Sequence, residues 1–195
     1  MPDTPIMSEQ ESLALITSMI QKARNSYIET GVGPLCWGVL ISFCSLFTWA
    51  EKHFDFQLGA DIWLLSLIAL IPQVYFSVRA RKTQQHVAHD EIVMNYVWSA
   101  FAVCIFLLSF YASQVQAPHV TALHMMIFGI PTFITGGFRR FPPMIIGGLI
   151  CWICCVVSVY TDFETDMLLM AASALFAWLI PGIILRKRYL KLKHV

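Results

Sequence analysis

Six long apolar runs constrain this chain more than any other feature. A bilayer core of about 30 Å is crossed by roughly 20 apolar residues in helical form. The runs fall at about Pro34–Ala50, Asp61–Val78, Asn95–Ser113, His119–Gly137, Pro142–Tyr160 and Asp166–Leu185. The first is short and must borrow from its flanks or stand with little tilt. Composition agrees: 57% of the 195 residues are hydrophobic and 13% are charged, against about 25% charged residues in soluble domains. The expected fold class is all-α, a polytopic membrane bundle of six spans.

The connections carry the punctuation. Gly31, Gly33 and Pro34 open the first run, Gln114 to Pro118 separate the third from the fourth, and Gly136 to Pro143 turn the fourth into the fifth. None of these loops can hold a folded extramembrane domain. The expected organisation is 1–32 as an N-terminal helical region, 33–186 as the membrane domain and 187–195 as a basic tail. Met1 to Gln10 offers no basic segment followed by an apolar run, so insertion by the chain's own spans is expected.

Lys and Arg resist translocation, so their positions report orientation. Lys22, Arg24, Arg79, Arg81, Lys82, Arg139, Arg140, Arg186, Lys187, Arg188, Lys191 and Lys193 fall on one side of a six-span chain, and Lys52 alone on the other. The opposite loops hold Glu51, Asp55, Asp61, Asp162, Glu164 and Asp166. The expected location is the plasma (inner) membrane with both termini cytoplasmic. The same sorting explains the bases without a ligand, and a net charge of +1 argues against a nucleic-acid partner, which needs a concentrated basic surface.

Before the first span, Ser8 and Glu11 fit a capping box. Ile16, Met19, Ile20, Ala23 and Tyr27 then recur at helical spacing, opposite Glu9, Gln21, Lys22, Arg24 and Asn25. An interfacial helix of this kind has the bilayer as its default partner. A docking helix for a protein partner or a second copy of the chain is the alternative.

The even spans share a pattern. Ile71-Pro72, Ile130-Pro131 and Ile180-Pro181 each stand about two turns before a basic cluster. Proline removes a backbone donor and clashes with the preceding turn, so a kink is expected in each even span. The odd spans begin with Trp37-Gly38, Trp98-Ser99 and Gly147-Gly148, and carry Cys44, Cys104 and Cys151 or Cys154 near mid-helix. The pattern suggests three hairpins about a pseudo-threefold axis. Parallel repeats of that kind occur in transporters.

Ile71-Pro72-Gln73-Val74-Tyr75, followed by Arg79, Arg81 and Lys82, resembles a PQ-loop motif. The resemblance implies a transporter, in that family often of amino acids or sugars. It covers about a dozen residues of one helix. The family has seven spans and two such motifs, whereas positions 132 and 182 here are Thr and Gly. The chain as a whole, Met7–Gly38 most clearly, is similar to small six-span bacterial membrane proteins. That similarity implies an architecture and no activity.

Candidate chemistry is sparse. Cys151-Trp152-Ile153-Cys154 has thiol–disulfide spacing, but it lies at mid-membrane without a second pair in an outer loop. Cys44, Cys104 and Cys154 share a depth and, fed by His119, His124, Met125 and Met126, form a candidate path for a soft cation such as Cu(I). Against this, cysteine and methionine are ordinary packing residues. His86, His89, Asp90 and Glu91 form a further candidate metal cluster, read more simply as a solvated loop. No nucleophile elbow, phosphate loop or zinc-protease motif is present, so neither an enzyme nor a cofactor is expected. A neutral solute path would be left with the kinked backbone at Pro72, Pro131 and Pro181, with Gln73, Thr132 and Thr135, and with the Gly136-Gly137 pair. Two readings stand: a scaffold or sensor acting through the N-terminal helix, and a small-solute transporter or channel.

Overall fold

The computed structural model describes residues 13, 31–56, 59, 61–71, 73, 89–115 and 119–193. Among these the secondary structure is all helical: α1 (Val32–His53), α2 (64–71), α3 (His89–Val115), α4 (Val120–Phe138), α5 (Pro142–Ser158), α6 (Phe163–Ala174), a π turn (Leu175–Leu179) and α7 (Ile180–Lys193). The last three form one continuous rod. The candidate interfacial helix with Ile16, Met19, Ile20, Ala23 and Tyr27 lies outside the described residues, as do Pro72 and His86.

Among the described residues four helical stretches are long and apolar enough to cross a membrane: Val32–His53, Ile92–Val115, Val120–Phe138 and Phe163–Leu192. The chain is thus an integral membrane protein of the all-helical class. Helix α5 is also apolar but has 17 residues, about 25 Å at 1.5 Å per residue. The first run does borrow from its flanks. Helix α1 extends two residues before Pro34 and takes in Glu51, Lys52 and His53, for 22 residues in all. Helix α3 begins at His89, so the second half of the His86–Glu91 cluster opens a helix rather than lying in a loop. The basic tail from Lys187 to Lys193 is likewise helical.

The α6–α7 rod is the hub of the bundle. Helix α1 packs along one side of it and α5 along another, while α4 pairs most intimately with α5. Helix α3 packs mainly along α4 and reaches the rod through Trp98 and Phe101, whose rings meet Trp178. Its Val103, Phe106, Leu107, Phe110 and Tyr111 are exposed, as expected of side chains that meet acyl chains.

The core is small and aromatic. Ile41, Met125, Phe128, Cys151, Cys154, Met170, Ala174, Ala177 and Trp178 form one buried cluster, with Trp98 and Phe101 packed against it. The Trp178 ring sits 4.9 Å from Phe128, 6.1 Å from Phe101 and 6.4 Å from Trp98, centroid to centroid. Tilted and edge-on contacts at these separations favour the ring quadrupoles. At one end of the bundle the Arg188 guanidinium lies over the Phe141 ring. At the other His53 Nδ1 lies 3.3 Å from Glu164 Oε2, and Thr161 donates to the buried Asp166 at 2.7 Å.

Candidate functional site: the proline level of the core

Two of the three candidate prolines are described, and both are buried against protein. In lipid an unpaired carbonyl costs several kcal/mol, so irregular backbone must find protein or water. Pro131 has no N–H to offer Ile127 O, and the side-chain bonds at this level centre on the neighbouring carbonyl, Phe128 O. The Thr132 hydroxyl donates to Phe128 O at 2.8 Å and accepts from the Trp178 indole N–H at 2.9 Å. Thr132 is fully buried and Trp178 is 3% exposed. This chain of bonds ties the level of Pro131 to a residue three positions before Pro181.

The second kink takes another form. Ile180 N–H donates to Leu175 O, an i→i+5 bond that makes Leu175–Leu179 a π turn. Phe176 O thereby loses its α-helical donor, and its next donor in the widened register would be residue 181, a proline without an N–H. Single π turns arise where the ladder is strained and often mark functional positions.

Glycines let neighbouring backbones reach this level. A Cβ on Gly147 would lie 2.5 Å from Phe176 O, and one on Gly148 would lie 3.1 Å from Gly129 O. Helix α5 is thus wedged between the two proline-bearing helices, one glycine facing each. A Cβ on Gly38 of α1 would lie 2.5 Å from Leu179 N. Gly129 and Leu179 each stand two residues before their proline, so α1 and α5 meet corresponding points of the two kinked helices. Small residues serve membrane helices in this way, because close packing must substitute for a hydrophobic drive that lipid does not supply.

Gln73 is exposed and accepts from the Trp37 indole N–H, beside Gly38. Among the described residues no hydrogen bond links it to Thr132 or Trp178. Ser45, Thr135, Ser158 and Ser173 are buried hydroxyls without a hydrogen-bond partner. They lie on four different helical segments, and none is hydrogen-bonded to the Thr132–Trp178 pair.

The candidate metal residues do not converge. Cys44 and Cys154 are buried while Cys104 is exposed, so the three thiols do not make a ring of equivalent positions. Cys44 Sγ lies 3.7 Å from Ile62 O, and Cys151 Sγ lies 3.8 Å from Ser173 O, both ordinary uses of a weak donor. His119 caps α4 in a left-handed conformation. His124 Nδ1 donates to Val120 O at 2.9 Å, leaving Nε2 to accept from Ser109 at 3.3 Å; the ring joins α4 to α3. Among the described residues no group of three or more His, Cys, Asp or Glu could hold a metal ion.

Three participants carried no local signal in the sequence. Trp178 looked like one more apolar residue of the last span. The π turn has no composition of its own beyond the proline that follows it. Asp166 read as a loop acid, yet is 5% exposed in the first turn of α6, where the helix N-terminus favours negative charge. No protein family, curated protein or solved structure matches the chain.

Proposed function

We propose that the chain is a non-enzymatic scaffold or sensor of the plasma (inner) membrane, with six spans and cytoplasmic termini, that engages a protein partner through its N-terminal helix. The observation that carries this reading is the filled centre. Trp178, Phe128, Met125 and Thr132 are all buried at the level of the kinks, where a solute path would need solvent-reachable polar groups. The spans themselves offer no buried carboxylate at mid-depth for ion coupling, a feature that ion-driven transporters commonly hold.

The experiment is a substitution on the candidate docking face. Ile16→Glu with Ile20→Glu places two charges on the apolar stripe. The spans should insert at wild-type levels, while recovery of the partner in mild detergent falls at least tenfold. Equal recovery by the variant and the native chain would sink the docking role.

The transporter reading keeps one specific support. Pro131 and Pro181 both face protein, and Gly148 and Gly38 approach them at corresponding offsets, as three hairpins about an axis would require. On that reading the Trp178–Thr132 bond is a closed gate, and solute flux into vesicles bearing the purified chain would rise on Trp178→Ala.

A further inference from the structure

Bases held on one side of a membrane have no need to be near one another. Here two clusters meet. The Arg188 guanidinium lies over the Phe141 ring, Cζ 5.2 Å from its centroid. Phe141 is 4% exposed and directly follows Arg139-Arg140 in the α4–α5 turn. That turn is tight: Phe141 N–H donates to Gly136 O at 2.8 Å, Arg140 N–H to Gly137 O at 3.2 Å, and Arg140 holds a left-handed φ of 49°. On α7, Lys187 and Arg188 stand four and three residues before Lys191, so each shares a helix face with it. Arg139, Arg140, Lys187, Arg188 and Lys191 are all exposed. The acids that the described segments bring to this end are Asp90 and Glu91, at the start of α3.

Two further features point to the kind of partner. The Phe141 ring beneath the Arg188 guanidinium holds that cation beside the α4–α5 turn, and arginine is the base best suited to bidentate contact with phosphate. Directly membrane-ward of the bases, Ile134 and Phe138 on α4 and Ile183 on α7 are exposed apolar side chains. A soluble anion would use the bases alone; a phospholipid uses both surfaces. Basic sites between membrane helices are known to take multiply anionic headgroups.

We infer that the α4–α5 turn and the outer face of α7 form a binding site for a two-phosphate phospholipid headgroup, of the diphosphatidylglycerol kind. Arg139 and Arg140 hold one phosphate and Arg188 with Lys191 the other, while the acyl chains lie along Ile134, Phe138 and Ile183. The site rests on the membrane reading of the chain and not on any protein partner.

The test uses the full-length protein in nanodiscs of phosphatidylcholine containing a minor fraction of diphosphatidylglycerol, with retained lipid counted by native mass spectrometry. Diphosphatidylglycerol should be retained at least tenfold over its share of the bilayer. Each base beside an anionic surface is worth roughly fivefold in affinity, so Arg140→Gln with Lys191→Gln should remove most of the enrichment. Lys52→Gln, at the other end, should change nothing. Lys191 is exposed, so Lys191→Gln alone keeps the fold and should still lower retention several-fold. Proportional retention of both lipids, or wild-type enrichment in the double variant, overturns the site. So does full displacement by millimolar inorganic pyrophosphate, which would make the ligand a soluble anion. Failure of the protein to enter nanodiscs would instead count against the membrane reading.

Discussion

Gly147→Leu is expected to destabilise the bundle by about 3 kcal/mol, at the upper end of the usual cost of overpacking. The reason is that the first atom of any side chain at this position meets backbone rather than a movable side chain. A Cβ there would lie 2.5 Å from Phe176 O and 2.6 Å from Ala177 Cα, and both atoms belong to the π turn. The helices must separate, which opens the close packing around Phe176 O, a carbonyl that already lacks its α-helical donor. Thermal unfolding in detergent micelles, followed by the far-ultraviolet helical signal, gives the comparison. Gly137→Ala is the matched control, because nothing lies within 4 Å of a Cβ at that position. It should be neutral or stabilise by up to about 1 kcal/mol through reduced backbone freedom in the unfolded chain. Equal effects at 147 and 137 would show that α5 is not wedged against the hub.

The second large effect is expected at Trp178. Truncation to Ala removes a ring packed against Phe128, Phe101 and Trp98 and should cost about 3–5 kcal/mol through lost contacts and the cavity left behind. The hydrogen bond to Thr132 is a smaller part of this and can be separated. Trp178→Phe and Thr132→Val each break the 2.9 Å bond, and together they should cost less than the sum. Bonds between membrane helices couple by about 0.6 kcal/mol on average and up to about 1.7. Both partners here are buried, so a coupling near 1 kcal/mol is expected. Additive single effects would mean that the indole and hydroxyl do not act as a pair.

The sequence was most legible where lipid writes the pattern. Runs of apolar residues placed α1, α3, α4, α5 and the α6–α7 rod, because side chains facing acyl chains must be apolar whatever the fold. Helix ends were less legible. Helix α3 begins six residues before Asn95, and α7 continues to Lys193. Hydropathy marks where lipid ends, while Lys, Arg and Glu are good helix formers and carry the helix onward into water. The candidate site was legible in part. Pro131, Thr132 and Pro181 stood out because proline in an apolar run must be accommodated, and they prove buried. The residues that accommodate them did not stand out. Trp178 and Gly147 act through contacts with residues 46 and about 30 positions away in the chain, and no local period encodes such pairings. The cysteine pattern misled for a related reason. Cys44, Cys104 and Cys154 share a depth, but depth says nothing of helix rotation, and Cys104 turns outward.

The proposed topology has six crossings with both basic ends on one face. On that proposal the α4–α5 turn, α7 and the segment around His86 share a compartment, opposite the turn after α1. Single cysteines introduced into a cysteine-free chain at three positions test this directly with a membrane-impermeant maleimide. His86→Cys and Leu192→Cys should react after the inner membrane is permeabilised and not before, while Gln57→Cys should react from outside in intact cells. Labelling of His86→Cys in intact cells would contradict the six-span topology, and with it the shared compartment of the basic clusters.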